Sequence, residues 1–137
     1  RFSTAEEFPD YAEKTRVGTL NVPTVESEGA LNELDEILAV DGIELVWLAA
    51  GDVTKILGVP FKYEDPKVMR LVENAVKTAE QNGAAIMYNM GLDSPDFDSM
   101  AATAKRLFDM GVRVVGLGAM EWHMQMALEH IRKNSIR

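Results

Sequence analysis

The chain has 137 residues, no cysteine, 47% hydrophobic and 26% charged residues, and a formal net charge of −8. That size suits one ordinary domain of globular composition, and the lack of cysteine removes disulfides and thiolate metal sites from this stretch. The acidic balance argues against a nucleic-acid or anionic-membrane partner, and no apolar run approaches the ~20 residues of a membrane span.

The opening "RFSTAEEFPDY" is polar and mixed, so no signal peptide is expected and a cytoplasmic location fits. No linker or low-complexity tract follows; a strand–helix alternation does. Residues 17–25, "VGTLNVPTV", predict a first strand, with Pro23 placed where its missing N–H does no harm. Ser27 is the expected cap of a helix over 28–39, with Ala30, Leu31, Leu34, Ile37 and Leu38 on one face. Asp41-Gly42 is a turn signal, and the apolar run in "IELVWLAAGD" predicts a strand at about 43–49, buried on both faces.

Asp65 as N-cap, Pro66 at the first helical position and Gly83 as the stop frame the next helix. Its apolar stripe is Val68, Leu71, Val72, Ala75, Val76 and Ala79. A third strand is expected at 84–90. A helix capped by Ser94, with Pro95 first and Gly111 last, comes next. A fourth strand at 112–118 precedes a final helix from "AMEWHMQM". Met90, Met100, Met110, Met120, Met124 and Met126 are expected as core or interface filler.

Four βα units with apolar strands imply an α/β fold with a covered parallel sheet. Two architectures satisfy the pattern: a small doubly wound sheet, or half of an eight-fold βα barrel, whose full form takes about 250 residues. In both, ligands bind at the carboxyl ends of the strands. There stand Thr24-Val25-Glu26-Ser27, Gly51-Asp52, Tyr88-Asn89-Met90 and the stretch from Gly118 to His123.

Glu26 and Asp52 fall at the same level of consecutive strands, roughly 4.8 Å apart in a parallel sheet. Two carboxylates at that spacing repel unless a cation or a proton lies between them. Oxygen ligation completed by water suits Mg²⁺ or Mn²⁺, with Co²⁺ as a further option. The small Ala49, Ala50 and Gly51 leave room for a ligand whose anionic group the backbone N–H groups could hold. The bland reading makes Glu26 a first-turn residue favoured by the helix dipole and Asp52 the N-cap of a short turn at 53–57. Glu121 and His123 form a weaker second pair, since positions i and i+2 of a helix diverge. Asp93, Asp96 and Asp98 read more simply as a solvated helix start.

The stretch "PDYAEKTRVGTLNVPTVES", followed by "LNELDEILAVDGIELVWLAAGDVTKILGVP" and "EDPKV", resembles the HpcH/HpaI aldolase and citrate lyase family. These are metal-dependent pyruvate aldolases of the 4-hydroxy-2-oxoheptanedioate type. The resemblance runs without a gap from Pro9 to about Pro60 and continues more weakly beyond. It implies a (βα)8 barrel of the phosphoenolpyruvate/pyruvate superfamily, with residues 1–137 as a single unit covering about strands five to eight. It implies that Glu26 and Asp52 ligate the metal, that the Gly51 N–H binds a pyruvate carboxylate, and that Thr24 and Ala50 line the substrate pocket.

The family's catalytic Arg and His belong to the first half of the barrel, so no catalytic residue is expected in this chain. An N-terminal half-barrel chain or segment is the expected partner, because a half barrel leaves raw sheet edges. The resemblance further implies a homo-oligomer, usually a hexamer with a swapped last helix, acting on a pyruvate-like 2-oxo acid and an aldehyde through a pyruvate enolate. Alternatives are a citrate- or malyl-CoA-lyase-like activity and a non-catalytic structural half barrel. Three departures stand out: Thr24 replaces the usual Gln, Ala49-Ala50 replaces Gly-Pro, and Met120 stands where many members have Asp.

Overall fold

A computed structural model describes residues 8–91 and 97–135. In chain order these form α1 (Phe8–Gly18), β1 (Thr24–Val25), α2 (Glu28–Asn32), α3 (Leu34–Leu38), β2 (Leu45–Leu48) and α4 (Ala50–Ile56). There follow α5 (Pro66–Gln81), β3 (Ala85–Asn89), α6 (Phe97–Asp109), β4 (Val114–Gly116) and α7 (Met120–Ser135). The four strands make one parallel sheet in the order β1-β2-β3-β4.

Register assigns the two faces. Val25, Leu48, Tyr88 and Val115 share one row. Alternation puts Val46 and Ile86 on the same face. Five of these six are 0–1% exposed. They pack in one core with Leu34 and Leu38 of α3, Val68, Val72, Ala75 and Val76 of α5, and Leu107 of α6. Each such side chain, once fully buried, contributes roughly 1.5–3 kcal/mol. The opposite face carries the row Thr24, Trp47, Met87 and Val114, whose two outer members are exposed. Trp47 is only half-buried for this reason, so β2 is not closed equally on both sides.

The topology decides between the two architectures. A doubly wound sheet reverses its strand order at a switch point and carries helices on both faces. Here the strands follow chain order and α3, α5 and α6 pack on one face, which is the arrangement of a βα barrel. The chain forms half of one.

Local signals explain most element boundaries. Asp65 Oδ1 accepts from the Lys67 N–H at 2.9 Å, and Pro66 opens α5. Val68, Val72, Ala75, Val76 and Ala79 are buried as the stripe requires, with Leu71 half-buried. Ser27 Oγ accepts from the Ala30 N–H at 3.2 Å, but the helix expected over 28–39 divides at Glu33 into α2 and α3. Gly111 follows α6 with φ +100°, and a Cβ there would come within 2.7 Å of Val76 Cγ1, so both conformation and space require glycine.

The first strand is shorter than expected. Val17 and Gly18 end α1, and only Thr24–Val25 pair. Pro23 stands just before them, and its carbonyl accepts from the Trp47 N–H at 2.9 Å, so its missing donor costs nothing. Met90 and Met100 are core, Met110 and Met126 pack against it, and Met120 and Met124 are exposed. Ser94, Pro95, Asp93 and Asp96 lie outside the described residues. No described helix is long and apolar enough to cross a membrane.

Candidate functional site

β2 runs directly into α4, and the junction sets the role of Asp52. Ala49 is the N-cap, accepting from the N–H groups of Asp52 and Val53 at 3.0 and 2.9 Å. Asp52 is the third residue of the helix and does not cap it. Its Oδ1 instead accepts from Lys55 Nζ at 3.0 Å, a pair in which both side chains are about half exposed. Such a pair contributes little and is readily exchanged for another partner.

The short α4 is held from below. Thr54 is fully buried; its hydroxyl donates to the Gly51 carbonyl at 2.7 Å and accepts from the Phe61 N–H at 3.0 Å. Phe61 has φ +61°, a conformation unusual for a bulky residue. This bond ties the loop 57–65 to α4 and brings Tyr63 over the carboxyl end of β3. Gly91 makes room for the Tyr63 ring, which a Cβ at that position would strike.

A cleft of about 530 Å³ opens at the carboxyl ends of the strands. Thr24 and Glu26 line it from β1, and Ala49, Ala50, Gly51 and Asp52 from the β2–α4 junction. Tyr63, Asn89, Met90, Gly91, Gly118 and Ala119 line the rest, with Trp47 on the open sheet face. Thr24, Glu26, Ala50, Gly51 and Asp52, the residues the resemblance singled out, therefore line one cleft. Glu26 and Thr24 are exposed, Gly51 and Asp52 half-buried, and Ala50 buried.

The donor set fits a hard divalent cation. Two carboxylates face one cleft, and the lining between them adds no bulky side chain at Ala49, Ala50 or Gly51. Mg²⁺ needs only one or two carboxylates and keeps several waters. Among the described residues no cluster of three or more His, Asp or Glu forms a closed cage. The Ala50 and Gly51 N–H groups, in the first turn of α4, have no acceptor within the helix. Among the described residues no Lys, Arg or His lines this cleft.

Glu121 and His123 do not join it. The His123 ring nitrogen Nε2 lies 2.7 Å from the Leu117 carbonyl, a contact that anchors the start of α7. Trp47, Tyr63 and Gly91 line the cleft without having been singled out from the sequence. Trp47 Nε1 and Asn89 Oδ1 are buried and have no hydrogen-bond partner. Asn89 was visible only as a polar residue ending β3.

A second cleft of about 530 Å³ lies between Tyr63, Glu64 and α6. There Thr103 donates to Glu64 at 2.6 Å and Arg106 pairs with it at 2.9 Å. The Thr103 hydrogen bond, aided by the Arg106 charge, holds the Glu64 carboxyl below its ordinary value.

Chain-ordered parallel strands, helices on one face and a ligand cleft at the carboxyl ends define a βα-barrel architecture. Residues 4–117 match the model of the HpcH/HpaI aldolase/citrate lyase family, and the chain belongs to that family. A hydroxypyruvate/pyruvate aldolase of Agrobacterium fabrum is 26% identical over 122 residues, 87% of this chain and 42% of that protein. A 2-keto-3-deoxy-L-rhamnonate aldolase of Escherichia coli is 39% identical over 61 residues, 44% of this chain and 23% of that protein. The chain thus spans less than half the length of the curated relatives it matches. Among solved structures, an HpcH/HpaI family protein from Burkholderia cenocepacia superposes with a TM-score of 0.75 at 19% identity, covering 90% of this chain and 45% of its own. Macrophomate synthase gives 0.72 at 15% identity, covering 98% and 44%.

Proposed function

We propose that this chain supplies the metal- and carboxylate-binding part of a metal-dependent aldolase acting on 4-hydroxy-2-oxo acids. The observation that carries the reading is the convergence of Glu26, Asp52 and Gly51 on one cleft in a member of an aldolase family. Glu26 and Asp52 would hold a divalent cation, Mg²⁺ or Mn²⁺ by their oxygen chemistry. When bound, it supplies Lewis-acid stabilisation of the negative charge that develops on the ketone oxygen during carbon–carbon cleavage.

The chain's own residues then have separate tasks. The Gly51 N–H orients the carboxylate of a pyruvate-like 2-oxo acid, as unsatisfied amides at a helix start do. Thr24 and Ala50 shape the wall beside it. Asp52 exchanges its bond to Lys55 for the cation. Among the described residues no basic side chain lines the cleft, and an arginine and a proton-transfer group would come from the rest of the barrel. The uncovered sheet face around Thr24 and Val114 favours the same completion, by another half barrel within an oligomer.

The test is pyruvate release from 4-hydroxy-2-oxo acids by the protein in its native assembly. Activity should vanish with a chelator and return with Mn²⁺ or Mg²⁺. Full activity in the chelated protein would overturn the reading.

A further inference from the structure

Tyr63, Met90 and Gly91 line both clefts, the one at the strand ends and the one against α6. Met90 is buried and belongs to the core, whereas Tyr63 is half-buried and packs against the core from outside. Its ring lies on the bare backbone of Gly91: a Cβ there would strike Cγ, Cδ2 and Cε2. The glycine thus admits the ring to the end of β3, at the boundary of two spaces of about 530 Å³ each.

The ring is held there. Two residues before it, the Phe61 N–H donates to the buried Thr54 hydroxyl of α4 at 3.0 Å. One residue after it, Glu64 accepts from Thr103 at 2.6 Å and pairs with Arg106 at 2.9 Å, both on α6. Asp65 follows as the cap of α5. Three helices therefore fix the backbone on either side of Tyr63, and the ring stands as a wall.

Beyond the wall the second cleft is apolar at its base, with Met69, Met90, Met100 and Leu107 in its lining. Among the described residues its lining has one cation, Arg106, and Glu64 already matches that charge. Such a space takes an uncharged alkyl chain more readily than an anion.

We propose that Tyr63 sets the length limit for the second reactant, ending the strand-end cleft before it opens into the apolar space along α6. This rests on the aldolase reading, in which Glu26, Gly51 and Asp52 hold the 2-oxo acid at the ends of β1 and β2. The aldehyde then lies toward β3, the next strand of the sheet, whose end Tyr63 covers. The substrate class is a short aldehyde whose chain stops at the ring. Aldol addition joins C3 of pyruvate to the aldehyde carbon. C3 loses one proton and the new hydroxyl gains one, so no other reactant is consumed.

The test is the ratio of kcat/KM for hexanal to that for acetaldehyde, with pyruvate and Mn²⁺, in the native assembly. Wild type should favour acetaldehyde. Tyr63→Leu and Tyr63→Ala should each raise the ratio about tenfold or more, the scale on which a pocket responds to a single methylene. Tyr63→Phe keeps the ring and should keep the wild-type ratio.

A general loss of folding lowers both rates together and leaves the ratio alone. An unchanged ratio in the truncated variants, or a wild-type preference for hexanal, would therefore overturn the proposal. A ratio raised equally by Tyr63→Phe would assign the effect to the hydroxyl and overturn it too, leaving the aldolase reading intact. Addition to neither aldehyde by the wild-type protein would overturn both.

Discussion

Asn89 occupies the space that a side chain on Gly116, its register partner on β4, would fill. The relationship runs across the open face of the sheet, beside the cleft that Glu26 and Asp52 share. A Cβ at position 116 would meet Asn89 Cγ at 2.8 Å and lie closer still to Oδ1. Gly116→Ala should therefore push the amide aside. The displaced rotamer costs about 1 kcal/mol, seen as a small fall in the denaturation midpoint, while ligand binding in the cleft changes more. A variant with wild-type ligand affinities would show that the position of Asn89 does not matter to the cleft.

Thr54 is the internal support of α4. Its hydroxyl is buried and serves both the Gly51 carbonyl and the Phe61 N–H. Thr54→Val keeps the shape and leaves the Phe61 N–H without its partner. Urea unfolding should register a loss of about 1–3 kcal/mol. Because Gly51 and Asp52 ride on the same helix, affinity for 2-oxo acids should weaken with it. Equal stability of the variant and wild type would contradict this role.

How much of this was legible in the sequence differs by element. α5 was readable throughout, because Asp65 and Pro66 mark its start and its apolar stripe meets the core. That Thr24, Glu26, Ala50, Gly51 and Asp52 line one cleft was also readable, since parallel strands deliver their carboxyl ends to one edge. Asp52 stands inside α4, beyond the end of β2, rather than level with Glu26 as expected. α1 was not readable. From Pro9 to Gly18 every residue is exposed, so no apolar stripe marked it and the β-branched Val17 was assigned to a strand. The capping role weighed for Asp52 falls to Ala49, whose carbonyl alone receives the first helical N–H groups. Which face Trp47 and Asn89 occupy, and that both lack partners, was hidden for another reason: it depends on register across three strands.

Glu64 gives a pH prediction. Thr103 first, and Arg106 second, lower its carboxyl below the ordinary value of about 4.3. Between that value and the lowered one, the unfolded chain binds more protons than the folded chain. The contribution is thus fully present above the ordinary value and fades as pH falls through the lowered one. Glu64→Gln should flatten the drop in thermal midpoint below about pH 4. Identical acid limbs in variant and wild type would contradict the linkage.

The central claim is that Glu26 and Asp52 together hold a divalent cation. Its most direct measure is Mn²⁺ binding to the native assembly, followed by the loss of the free-ion paramagnetic resonance signal. Wild-type protein should bind one ion per chain. Glu26→Gln and Asp52→Asn should each weaken it by more than about tenfold, since even changes to groups behind the ligands cost that much. Unchanged Mn²⁺ affinity in both variants would contradict the account.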